Sequence, residues 1–585
     1  ASTISSALNS GTSVTVDTTS SPSGGITGVS GDGDIIVNSA ISKTSGGDAT
    51  LTLRAHQNVN LTAGISSTQG RLNLVLWANQ DASAGGSVWL QNAPINTNGG
   101  HFWMGGSATN GGSATWNGLT VGNGYSSSNI TSFSDTGSIE GALLRNSNVT
   151  TQGGNVTILG RNDVISGTLT RWGLLLENSD ISTGTGSIEL IGNMTNLTGA
   201  SPALRGVELN GSDLTTTTGN ISLSGFRQGW NSNGESVRII NSAIRSSGTS
   251  GGNITVIGRQ DDFDDGTSYQ TGLLLYANGA NSLVEIKTDS GNISIEGTNR
   301  STTRDLSYGI WGYTAQPTFQ DSNHPVINIV SKTGSVTIEG NALPNSNSAA
   351  RGIMLTAGDY GKINIGFDGT NAYSGDINIR ASSWDQQFVA PGYLSMRGAG
   401  ALTIEPLLST GFRIGSATAH GFTLDGGYSI GSTHSSVNLG GSSTNTGNTG
   451  SITIATPLTA VDGVSLYGGG IAINSAVTAS ATGGRVTLTS AGNVTQSAAV
   501  TSPNLLLLGS GSFSLLNTGN DVATLAAGST TTAVSSLQYA DRGALTIGTV
   551  GSSSGIRASG NISVASGAVV AGDLTLSQSL LTAST

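Results

Sequence analysis

Gly251-Gly252-Asn253-Ile254-Thr255-Val256-Ile257-Gly258 decides the reading of this chain. Glycine and asparagine turn the backbone, apolar and polar residues then alternate, and a glycine closes the segment. Alternation at a period of two is the mark of a short strand with one buried face. The phrase recurs as Gly154–Gly160, Gly186–Gly192, Gly219–Gly225, Gly291–Gly297, Gly334–Gly340 and Gly375–Ile379. Its first apolar residues are Val156, Ile188, Ile221, Ile254, Ile293, Val336 and Ile377, at intervals of 32, 33, 33, 39, 43 and 41 residues.

A second phrase lies between these copies: Trp172–Leu176, Arg205–Leu209, Ser236–Ile239, Thr271–Leu275, Tyr308–Trp311 and Arg351–Leu355. A third, weaker one follows, as in Ser179-Asp180-Ile181 and Ser212-Asp213-Leu214. Each repeat thus holds at least three short strands, in one large coil or two small ones. Repeats that cannot bury a face alone do so by stacking. The expected fold is all-β: a right-handed parallel β-helix (β-solenoid), forming a single elongated rod with inserted loops. In it, like side chains stack at about 4.8 Å and glycine supplies the positive φ of the corners. The insertions are Arg259–Tyr269, Thr298–Ser307 and Thr314–His324.

Three regions differ in character. Residues 1–135 read as N-terminal coils carrying Trp77, Trp89, Trp103 and Trp116. Residues 136–385 are the repeat-rich coils with inserted loops. Residues 386–585 are low-charge coils with neither tryptophan nor lysine. The chain stops at Thr585 without a polar cap, so exposed strand edges are expected to invite stacking.

Composition narrows function. The 585 residues include 88 glycines, 10 prolines and no cysteine. A long array needs no disulfides, and their absence suits export in an unfolded state. Net charge is −11, and the lysines are Lys43, Lys287, Lys332 and Lys362. Nucleic-acid binding is not expected without clustered cations. No apolar run reaches the roughly 18 residues of a membrane helix, so membrane insertion is not expected. The start, Ala1-Ser2-Thr3, lacks the basic flank and apolar core of a signal peptide and reads as a mature or excised terminus.

The residues Gly-Asn-Val-Thr-Ile (154–158), Gly-Asn-Ile-Thr-Val (252–256), Gly-Asn-Ile-Ser-Ile (291–295), Ile95–Gly100, Ala491–Gln496 and Tyr539–Gly548 resemble filamentous-haemagglutinin-like β-helical exoproteins. These are two-partner-secreted adhesins of Gram-negative bacteria and cyanobacteria. The likeness runs along nearly the whole chain and implies an extracellular or outer-cell-surface location. It also implies an outer-membrane export partner and a role in attachment, matrix or biofilm. The Asn-Pro-Asn motifs of that family's secretion domain have no counterpart here; Ser502-Pro503-Asn504 is a faint echo.

Chemistry-bearing clusters are few. Asp261, Asp262, Asp264 and Asp265, ahead of Gly266, form an acidic insertion that reads as a solvated loop, then as a candidate Ca²⁺ site. It is also the best place for the paired carboxylates of a glycosidase. No other cofactor is expected. The five histidines are scattered, and Gly-x-Ser-x-Gly occurs at the rate such a composition produces. Trp311 and Tyr313, with Tyr308 nearby, and Trp77 with Trp103 could stack on sugar rings; the plainer reading is that they fill corners or interior. The expected function is a non-enzymatic rod or adhesin, binding a surface carbohydrate or protein receptor, or stacking end to end on like subunits as a filament. The alternative is a polysaccharide-active β-helix lyase or hydrolase.

Overall fold

The computed structural model describes residues 1–18, 33–82, 85–128, 138–163, 170–197, 204–229, 234–261, 270–300, 307–315, 324–343, 350–357, 361–388, 393–407, 422–424, 428–441 and 448–582. The strands lie mainly in long parallel sheets stacked in register, a parallel β-helix. Contacts divide the chain into two units, residues 1–327 with 341–352 and residues 328–340 with 353–585.

In the first unit one repeat is one coil of three strands, each on its own sheet. The opening phrases form the first sheet, where Val156, Ile188, Ile221, Ile254 and Ile293 are successive register partners. The second phrases form the second sheet, with Leu174, Val207, Val237, Leu273 and Ile310 in one column. The third phrases align Val149, Ile181, Leu214, Ile244 and Ile286. All fifteen side chains are buried, between 0% and 3% exposed. Burying a side chain of this size is worth about 1.5–3 kcal/mol, so the inner columns hold the coils together.

The corners explain the polar half of each phrase. Between second and third sheets, Asn92, Asn146, Asn178 and Asn241 adopt positive φ (46° to 55°), and Gly211 at 59° takes the same place in its coil. Asparagine tolerates that left-handed conformation better than most residues. The following serines form a ladder in which each backbone N–H donates to the next hydroxyl: Ser147 to Ser179, Ser179 to Ser212 and Ser212 to Ser242, all at 2.9 Å.

Between third and first sheets Gly46, Gly70, Gly99, Gly153 and Gly184 supply the expected positive φ, and a second set of glycines works differently. Gly154, Gly186, Gly219, Gly252 and Gly291 are absent from the positive-φ positions. They are needed because a Cβ at each would lie 1.8–2.1 Å from the carbonyl oxygen of the glycine one coil earlier. Buried Thr216 donates its hydroxyl to the Gly219 carbonyl at 2.8 Å, tying this corner down. The asparagine after the glycine receives the N–H of its neighbour in the next coil: Asn253 to Asn220 Oδ1 at 2.9 Å, and Asn292 to Asn253 Oδ1 at 2.8 Å.

His101 occupies this ladder in an earlier coil, its Nδ1 accepting the Asn155 N–H at 3.0 Å. Burial and the Arg71 charge lower its pKa. A lowered folded pKa means that acid favours the unfolded state. Stability is therefore expected to fall as pH drops below about 6.5 and to level off below the lowered value. Thermal unfolding at pH 7.5 and at about pH 5 checks this. His101→Asn, which restores the usual ladder residue, should flatten this component.

Two local features lay outside the sequence reading. Helix Ser2–Asn9 covers the N-terminal edge of the third sheet. Ser5 Oγ accepts the Ser42 N–H at 3.0 Å, and Asn9 Oδ1 accepts those of Thr44 and Ser45. A hairpin of Ser113–Trp116 and Leu119–Gly122 lies on the outer side of the first sheet.

In the second unit the coils become smaller. The register partners Val464, Val486, Leu505 and Leu525 are 22, 19 and 20 residues apart. Strand Val500–Leu508 shows how: Val500 pairs with Val477 while Leu505 pairs with Val486, so one strand serves two faces and a corner is saved. In the Tyr539–Gly543 turn, Asp541 accepts from the Tyr539 hydroxyl and from the Val522 and Gly543 N–H groups.

Candidate ligand-binding face

Trp311 and Tyr313 stand on the second sheet in strand Ser307–Ala315, beside strand Gln270–Asn278. Register places Leu274 against Trp311 and Tyr276 against Tyr313. The rings form a continuous row. Tyr308 and Trp311 centroids are 5.2 Å apart, Trp311 and Tyr313 are 5.3 Å apart, and Tyr313 and Tyr276 are 5.2 Å apart with their planes 1° from parallel. Arg238 extends the row, with its guanidinium carbon 5.9 Å from the Tyr276 ring centre.

Charge continues the strip across earlier coils. Glu208, 4% exposed, lies 3.1 Å from Arg205 and 3.8 Å from Arg238, and it accepts the Trp172 indole N–H at 2.8 Å. Arg205 also pairs with Glu235 at 3.0 Å and sits 5.5 Å from the Trp172 ring centre. A buried carboxylate that pairs with two guanidinium groups and an indole is held in one orientation. Burial and the neighbouring Tyr313 raise the pKa of Tyr276, so its hydroxyl stays protonated and able to donate at neutral pH.

The strip differs from a flat sugar platform. Tyr276 and Tyr313 present their faces to each other, as does Trp311 to Tyr313, so part of the π surface is already used in the ladder. Sequence reasoning missed Tyr276 and the Arg–Glu network. The available signal was alignment of the second phrases, which puts Leu275-Tyr276 over Gly312-Tyr313.

Trp77 and Trp103 are a correction. Each is 2% exposed and offers no ring to solvent. Both pack with Val75 and Val121 beneath the hairpin, against Trp116, Leu119 and Leu159. Trp77 donates its indole N–H to Ser107 Oγ at 2.9 Å. They point outward from the coil, but the hairpin takes the surface a ligand would need.

Asp261 ends strand Ile254–Asp261, with Oδ1 3.4 Å from Arg300 Nη1. Asp262, Asp264 and Asp265 lie outside the described residues. Among the described residues no group of three or more His, Cys, Asp or Glu could hold a metal ion. No described helix is long and apolar enough to cross a membrane. No protein family matches the chain, and no curated protein matches it.

Proposed function

We propose that this chain is an extracellular β-helical scaffold that works as an adhesin, with the aromatic and charged strip of the second sheet as its contact surface. The observation that carries this reading is the row of Trp311, Tyr313 and Tyr276 leading to Arg238, with buried Tyr308 backing Trp311. Aromatic and arginine side chains are the residue types that dominate binding energy at contact surfaces. A β-helix suits the role because the in-register coils fix these side chains on rigid strands rather than on loops.

Adhesion of the purified chain to carbohydrate- and protein-coated surfaces tests the reading. The expected result is saturable retention, weakened about 30-fold in Trp311→Ser/Tyr313→Ser, the loss of roughly 2 kcal/mol typical of a hot spot. Retention unchanged in the double variant, or release of reducing ends from polysaccharide substrates, overturns it. Export through an outer-membrane partner and end-to-end filament growth belong to the same proposal; electron microscopy of secreted material distinguishes single rods from filaments.

A further inference from the structure

The second unit contains a groove of about 610 Å³ on the outer side of its first sheet, far in sequence from the aromatic strip. Its floor is built from alternate residues of five strands: Leu402–Pro406, Ser436–Leu439, Gly463–Gly468, Arg485–Ser490 and Val500–Leu508. Thr403, Asn438 and Ser465 are successive register partners, as are Ser436, Gly463, Arg485 and Asn504. Four steps between five strands, at about 4.8 Å each, make a floor about 19 Å long.

One end is closed by a small hairpin that pairs Thr549 with Ser554 and Val550 with Ser553. It is anchored by an apolar cluster of Val550, Leu506 and Ala526, with Leu508 packed alongside. Thr549, Val550 and Gly551 then face the groove. Gly551 has φ +60°, and a Cβ there would lie 3.1 Å from Arg485 Nη1, so glycine lets the guanidinium lie along this wall.

The lining chemistry selects a ligand class. Hydroxyl and amide side chains predominate, and Val550 is the lone aliphatic chain among the described lining residues. An apolar ligand would leave those polar groups without partners. Asp462 and Arg485 supply one charge of each sign, so the groove favours neither a polyanion nor a polycation. The Arg485 guanidinium and Asp462 carboxylate form no ion pair with each other or with another described group within 4.0 Å. Exposed charged groups of both signs set among hydroxyls and amides offer the donors and acceptors that a polyhydroxylated ligand would use.

The length agrees with this. A groove whose lining repeats once per coil matches a polymer whose unit length is close to the coil spacing, as in an extended pyranose chain. We propose that this groove binds a neutral, extended oligosaccharide of about four sugar units, one per coil step. In it, Asp462 accepts and Arg485 donates hydrogen bonds to ring hydroxyls. This site is independent of the strip on the second sheet.

Titration calorimetry of the whole chain with cellotetraose, mannotetraose, maltotetraose and xylotetraose tests the proposal, with tetragalacturonate and chitosan tetramer as charged controls. At least one neutral tetrasaccharide is expected to bind, and to bind better than either control. Gly483→Tyr should block it: a Cβ at Gly483 meets nothing within 4 Å, so the ring fills the groove while the coil is left intact. Asp462→Asn, nearly isosteric, should weaken binding at least 10-fold, with an unchanged circular dichroism spectrum confirming the fold. Trp311→Ser/Tyr313→Ser should leave it unchanged. Failure of all four neutral sugars, preference for a charged control, or full binding by Gly483→Tyr overturns the proposal.

Discussion

Replacing Gly252 with alanine is expected to destabilise the first unit by about 4 kcal/mol, an effect reserved for steric conflicts that a fold cannot relax away. The added Cβ would lie 2.0 Å from the Gly219 carbonyl oxygen and 2.4 Å from its carbon. Both partners are backbone, and both belong to a stack. Gly219 is itself 1.9 Å by the same measure from the Gly186 oxygen, and Gly291 is 2.1 Å from that of Gly252. No side chain can rotate aside. Relief requires the coils to part, which breaks the Ile221–Ile254 and Ile254–Ile293 register on either side. The neighbouring Asn253→Ala removes one hydrogen bond, to the Asn292 N–H, and should cost about 1 kcal/mol. Gly47→Ala, where a Cβ meets nothing within 4 Å, should change stability by less than about 0.5 kcal/mol. Stacked repeats support one another through nearest neighbours, so the damage should be local. Amide hydrogen exchange is the measurement: protection should drop across Ile221–Gly225 and Ile293–Gly297 and persist at Leu51–Arg54. Equal effects of Gly252→Ala and Gly47→Ala would show that the close approach of backbones does not govern this corner.

The same residue shows what the sequence could and could not convey. Alternation in Ile254-Thr255-Val256 and its recurrence at 32 to 39 residues placed Val156, Ile188, Ile221, Ile254 and Ile293 in one column, as the register has it. A period of two needs only neighbouring residues to be read, so strands and their inner faces were visible. The purpose of Gly252 was not, because it depends on a carbonyl one coil away. The positive φ expected of it belongs to other glycines of the same corner, such as Gly153 and Gly184, and at the next corner to Asn146, Asn178 and Asn241, residues whose tolerance of that conformation gives a weaker signal than glycine's. The candidate sites follow the same division. Trp311 and Tyr313 are two apart on one strand and were found together; Tyr276 joins them across 37 residues and an insertion of variable length. The groove at Asp462 and Arg485 was hidden more thoroughly. Its lining comes from five coils whose spacing shrinks along the unit, and no single stretch of it departs from the serine, threonine and asparagine background.

Trp103→Ala is expected to cost about 3–5 kcal/mol at its site yet leave the coils standing. The side chain points outward from strand Phe102–Gly105, between Val75 and Thr157 in register. It is 2% exposed because the hairpin of Ser113–Trp116 and Leu119–Gly122 covers it. Two glycines accommodate the indoles: a Cβ at Gly105 would lie 2.8 Å from Trp103 Cη2, and one at Gly122 would lie 2.8 Å from Trp77 Nε1. Packing this close leaves little room for the cavity of a truncated side chain to collapse, which places the cost at the high end for an aromatic deletion. The interior columns next to it, Leu74 with Phe102 and Leu76 with Met104, do not touch this cluster and keep their contacts on the opposite face of the sheet. An isolated two-stranded hairpin is marginal in water, so this one depends on its docking surface. Limited proteolysis should therefore cut Trp103→Ala within 107–123 far faster than the parent chain, while far-UV circular dichroism changes little. Phe102→Ala, one residue earlier but facing inward, should do the reverse: it opens the coil itself and lowers the main unfolding transition. If both variants lose the coil together, the outer cluster is part of the core rather than a clamp for the hairpin.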